Sequence, residues 1–171
     1  IMKKLVVFTV LLCCGTAGFY CTGDDNNLSS THAVKELYSE NLDSFVTAVM
    51  KFQQTANERP GRDALQDAFK AARKAYKKVE LFAEYYNPAT AKAINGPALD
   101  EVEADNPEYP EPPHGFQVIE ELLFPEYDTA AYAALRSELA ALKSVTTRLS
   151  MVNETLAFTD SHIFDAVRLE L

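Results

Sequence analysis

Apolar side chains recur every three to four residues along most of this chain, and that period leaves it little choice of fold. Tyr132, Leu135, Leu139, Leu142, Val145, Leu149, Val152 and Leu156 sustain the stripe over roughly seven helical turns. Leu65, Phe69, Ala72, Tyr76, Val79, Ala83 and Tyr86 repeat it in alternating steps of four and three. Val34, Leu37, Tyr38, Leu42, Phe45, Val46, Val49 and Phe52 do the same nearer the start. No stretch alternates apolar and polar residues with the period of a strand. The predicted class is all-α: an up-and-down bundle of about four to five helices with one long Pro-rich acidic loop.

Breakers and caps set the expected boundaries. Ser29, Ser30 or Thr31 caps the first helix, which ends before Arg59-Pro60-Gly61. Asp63 can start the second, and Pro88 ends or kinks it. Residues 95–114 read as a loop holding Asp100, Glu101, Glu103, Asp105, Glu108 and Glu111 among five prolines. A loop of that length is either functional or a loose connection. The functional expectation is that it folds over one end of the bundle and helps enclose a site. Asp128 or Thr129 opens the longest helix, and Thr159, Asp160 or Ser161 caps a last one. That last pattern reaches Leu171 without a stop signal, so more sequence is expected to follow.

The first 21 residues read as an export signal. Lys3-Lys4 precede a short apolar run from Leu5 to Cys14, too short to span a bilayer comfortably, with Met2 the expected start. Two processing readings stay open. Gly15-Thr16-Ala17 suits cleavage at small residues; Cys21, followed by a polar, acidic stretch over 22–28, suits a lipid anchor and tether. Residues 29–171 form the expected helical domain. Formal net charge is −9; the first 21 residues contribute Lys3 and Lys4 and no acid, leaving −11 for the rest. That excess disfavours nucleic acid and anionic membrane surfaces as partners and favours a cation or a basic protein. The membrane is expected to be met only through a lipid anchor. All three cysteines (Cys13, Cys14, Cys21) fall in the signal, so the domain has no disulfide framework, no thiolate metal site and no covalent haem attachment.

Between the prolines and Pro125 lies the segment from His114 to Phe124. Phe116, Ile119 and Leu123 form an apolar stripe, while Gln117 and Glu120 share another face. Such a helix is either a site or an amphipathic spacer. Its Gly115, Phe116, Gln117 and Glu120 resemble the Gly-x-His-x-x-Glu signature of the imelysin-like family of bacterial periplasmic helical proteins, with Gln117 in the histidine's place. Three blocks in order, residues 72–82, 115–124 and 160–166, are similar to one branch of it. In that branch an imelysin-like domain precedes a di-haem cytochrome c peroxidase of the type found in Bacteroidetes. The resemblance implies a periplasmic or outer-membrane-anchored protein concerned with metal, iron or haem. It implies a non-catalytic accessory domain that docks the haem peroxidase domain of the same chain or a basic electron-transfer protein. Haem itself is expected only in sequence beyond this chain. The alternative is a stand-alone metal- or haem-binding module for iron uptake.

Candidate ligands follow from chemistry. Glu80 and Glu84 share a face in the most apolar part of their helix, where a carboxylate must be paired, protonated, solvated or metal-bound. Glu120 could meet them across the bundle, and Gln117 could add an oxygen for a divalent metal or iron. The competing expectation is that Arg73, Lys77 or Lys78 pairs with the acids. An amide oxygen is a poorer transition-metal ligand than imidazole, which weakens the metal reading. His114 and His162 are secondary candidates; His32 is incidental. No Gly-x-Ser-x-Gly, His-Glu-x-x-His or phosphate loop is present, so the peptidase activity claimed for some imelysin-like proteins has no visible machinery here.

Overall fold

The computed structural model describes residues 25–100, 102, 108 and 112–169. Every regular element among them is helical. The helices are α1 (Asp25–Asn57), α2 (Arg62–Tyr76), α3 (Glu80–Tyr86), α4 (Pro88–Asn95), α5 (Phe116–Leu123), α6 (Tyr132–Asn153) and α7 (Asp160–Leu169), with a 3-10 turn at Thr129–Ala131. The expected count of four to five is therefore corrected to seven α-helices among the described residues. The signal, Cys21 and most of the loop tip lie outside them.

Two predicted helices are divided. The stripe from Leu65 to Tyr86 stays on one side, with Val79 and Ala83 fully buried, but the backbone tightens where α2 ends. Lys78 N–H donates to Ala75 at 3.2 Å and Val79 N–H to Tyr76 at 2.8 Å, three residues back instead of four. At the other break Asn87 ends α3 and begins α4, and Pro88 takes the first helical position, where its missing N–H costs nothing.

Residue pairings give the topology. Phe45 meets Tyr76 and Phe52 meets Phe69, so α2 runs back along α1. Ser39 bonds Asn153, while Ala56 and Leu139 line one small cavity, so α6 also runs against α1. Thr90 bonds Arg148 and His114 bonds Glu138, so α4 and the start of α5 run against α6. Four columns result: α1, then α2 with α3, then α4 with α5, then α6. The α7 helix packs on α3.

The core draws on these stripes, although Leu37 of the first one stays exposed. Phe116 is fully buried, with its ring 6.1 Å from Phe45, 5.8 Å from Phe69 and 5.9 Å from Tyr76, centroid to centroid. Burying such a ring stabilises the fold by about 2–3 kcal/mol. At the end near α7, Tyr38, Phe82, Phe158 and Tyr86 form a second aromatic cluster.

The Pro-rich stretch leaves from Gly96 and returns at Gly115, and the two ends meet. A side chain on Gly115 would strike the Ala93 and Ile94 carbonyls, which close α4. The loop therefore leaves and rejoins the third column at neighbouring points, and the expectation that it folds over one end of the bundle rests on residues outside the described ones. Its expected acids Glu101, Glu103, Asp105 and Glu111 lie outside the described residues.

Candidate functional site

The segment from His114 to Phe124 sits where two broken columns face each other. Gly115 precedes α5 with φ 92° and ψ −155°, a conformation that L side chains rarely adopt. Together with the carbonyls pressed against its Cα, this makes glycine a requirement. Its N–H donates to Glu138 Oε2 of α6 at 3.4 Å. Phe116 then turns into the core, which points Gln117 and Glu120 to the flank.

Both polar residues are engaged by neighbouring helices. Gln117 Nε2 donates to the Asn95 backbone carbonyl at 3.2 Å, capping the end of α4. Glu120 Oε2 lies 3.7 Å from Arg73 Nη1, and the same Nη1 donates to Asn95 Oδ1 at 2.9 Å. Asn95 Nδ2 donates to Glu80 Oε1 at 3.2 Å, and Lys77 Nζ reaches both Glu80 oxygens at 2.7 and 2.5 Å. Asn95 is thus the hub: its side chain accepts from α2 and donates to α3, while its carbonyl accepts from α5. The network joins four helices around the two interruptions.

Glu80, Gln117 and Glu120 are brought together through Asn95 and Arg73. Burial ranks their importance: the Glu80 side chain is 15% exposed, Arg73 29% and Glu120 49%. The Lys77–Glu80 contact is the strongest, since it is bidentate and partly withdrawn from water. The Arg73–Glu120 contact is long and wet and contributes little. Glu84 is half-buried and is itself engaged.

As arranged, these donors do not fit a transition-metal site. Both carboxylates already face a basic side chain, and the third residue supplies a neutral amide. Among the described residues no three His, Cys, Asp or Glu side chains gather where they could hold an ion. His114 and His162 do not join the network by any bond. His114 Nδ1 is 3.2 Å from both Glu138 oxygens, on the α6 side of Gly115. His162 lies on α7, its Nδ1 3.2 Å from Tyr86 Oη and from the Ala157 carbonyl. Its N–H donates to Thr159 Oγ1, so Thr159 caps α7.

Sequence reasoning missed Asn95 and Glu138. Asn95 carried one usable signal, the Asn-Gly pair that commonly closes a helix; Glu138 looked like any solvated residue of a long helix.

Three tyrosines hold their protons beyond the ordinary range. Burial pushes Tyr38 up, with Tyr86 nearby adding to it. Burial also raises Tyr86, helped by Tyr85, and raises Tyr127, helped by Tyr132. The Tyr38 hydroxyl has no hydrogen-bond partner. No helix among the described residues is long and apolar enough to cross a membrane. Compared with protein-family profiles, curated proteins and solved structures, the chain matches none.

Proposed function

We propose that this chain is a non-catalytic docking domain of an exported haem-peroxidase-type protein, held in the periplasm freely or through a lipid on Cys21. The observation that carries the reading is the outer face of α7. Phe164 is 73% exposed and Val167, one turn on, 43%; Leu169 is exposed as well. An apolar pair at i, i+3 on a helix whose main helical contact is α3 is a ready contact surface. Gly115, Phe116 and Gln117 are compatible with the same reading, because they are occupied in holding helices together. The occupant we assign to α7 is the haem domain carried in the same polypeptide.

Two measurements test this. The reading frame past Leu171 should contain two Cys-x-x-Cys-His motifs; a frame that ends after one or two further helices sinks the reading. In the full-length protein, Phe164→Asp should release the haem domain from the bundle, seen as faster proteolysis between them at unchanged helicity. If the variant instead weakens only the binding of a basic c-type cytochrome, the partner is an electron donor and the occupant named here is wrong.

The rival reading, a self-contained metal- or haem-binding module, has one observation in its favour: Glu80, Gln117 and Glu120 do converge. It requires an ion to displace Lys77 and Arg73 from the two carboxylates.

A further inference from the structure

The end of the bundle farthest from Asp25 holds an arrangement unlike the rest of this acidic molecule. Arg59, in the turn after α1, places its guanidinium carbon 4.5 Å from the centroid of the Tyr132 ring. Arg136, one turn into α6, lies 5.8 Å from the same ring. Both arginines are exposed, and with Tyr132, Ala133 and Ser137 they line a concave surface of about 440 Å³. Arg62, Arg73 and Arg168 each have a carboxylate within 4.0 Å; among the described residues Arg59 and Arg136 have none. The acids next in sequence each have a contact of their own. Asp128 accepts from Ala130 N–H, Glu126 faces Arg62, and Glu58 accepts from Gln54.

Arg59 also occupies a costly backbone position. Its φ is 52°, the left-handed conformation in which glycine closes many helices, and Pro60 follows. A glycine would relieve the strain and lose the guanidinium. Holding two cations against one ring sets their mutual repulsion against cation–π attraction. An oxyanion shared by both forks would remove the repulsion and satisfy donors that have no acceptor among the described residues.

We infer that Arg59, Arg136 and the Tyr132 ring form a binding site for a phosphate group. Two guanidinium groups carry two positive charges and match a dianion with three or more oxygens better than a carboxylate. Free phosphate or a phosphomonoester is the source this charge balance favours over the singly charged diester of a phospholipid. The inference is independent of what covers α7.

The test is a titration of the whole chain with inorganic phosphate at constant ionic strength, read by NMR at the arginine Nε–H and Tyr132 ring resonances. Saturable shifts confined to these residues are expected, with affinity at least tenfold weaker in Arg136→Gln. Arg59→Gly should weaken binding comparably while keeping the turn, since its backbone suits glycine. Far-UV circular dichroism checks that both variants fold; Arg136→Gln decides if Arg59→Gly does not. Shifts that never saturate, that chloride reproduces, or that survive Arg136→Gln overturn the proposal. So does flotation with phosphatidylglycerol vesicles in the absence of any phosphate response.

Discussion

Gln117 donates its amide N–H to the backbone carbonyl of Asn95, and this one bond makes a side chain of α5 the cap of another helix. α4 would otherwise end with that carbonyl facing the start of α5. Gln117→Ala should lower stability by about 1 kcal/mol, the net worth of a neutral hydrogen bond. Asn95→Ala removes both side-chain bonds of the hub and leaves Arg73 and Glu80 without it, so it should cost more, ~1–3 kcal/mol. Urea denaturation of the two variants checks the order; a costlier Gln117→Ala would mean that the network is organised otherwise.

Gly115→Ala should be the more damaging change in the same segment. The added methyl group meets the Ala93 carbonyl at 2.7 Å and the Ile94 carbonyl closer still, at a φ of 92°. Both walls are backbone at the end of α4 and cannot swing away. A loss of about 3 kcal/mol is expected, from strain that must move α4 or α5. A midpoint within error of the wild type would show that the two helices are free to part.

Stability should fall in alkali for a reason that can be assigned. An unfolded tyrosine ionises near 10.0, whereas Tyr38, Tyr86 and Tyr127 ionise higher when folded. The folded state keeps protons that the unfolded state releases. Their contribution is therefore complete below pH 10 and is lost as pH rises toward the folded values. Tyr38→Phe deletes a buried hydroxyl that has no partner, so it should be neutral to about 1 kcal/mol stabilising and should flatten the alkaline limb. Denaturation midpoints from pH 8 to 11 test both statements, and a steeper limb in the variant would contradict them.

Zinc titration separates the docking domain from the metal module. The wild-type chain should show no saturable site, because Lys77 and Arg73 face Glu80 and Glu120. Gln117→His should add measurable binding, since imidazole is the better ligand. Micromolar binding by the wild type that disappears in Glu120→Ala would restore the metal module.

The sequence by itself determined the all-helical class and most of the core. The three- to four-residue period is a local property, so Phe116, Ile119 and Leu123 could be assigned to the interior, and all three are fully buried. It also marked Gly115, Gln117 and Glu120 as a unit, and it named Arg73 and Lys77 as competitors for the acids. Tertiary structure alone decided the rest. No residue of Lys77-Lys78-Val79 is a helix breaker, so nothing local announced that the second column would be interrupted there, opposite the break between α4 and α5. Asn95 became a hub because residues 22 positions before it and in the following helix converge on it. The partners of Glu138 and Arg59 likewise lie far away in sequence, at Gly115 and Tyr132. A periodic pattern reports which face of a helix is apolar; which polar groups meet across the bundle depends on how the columns are laid side by side.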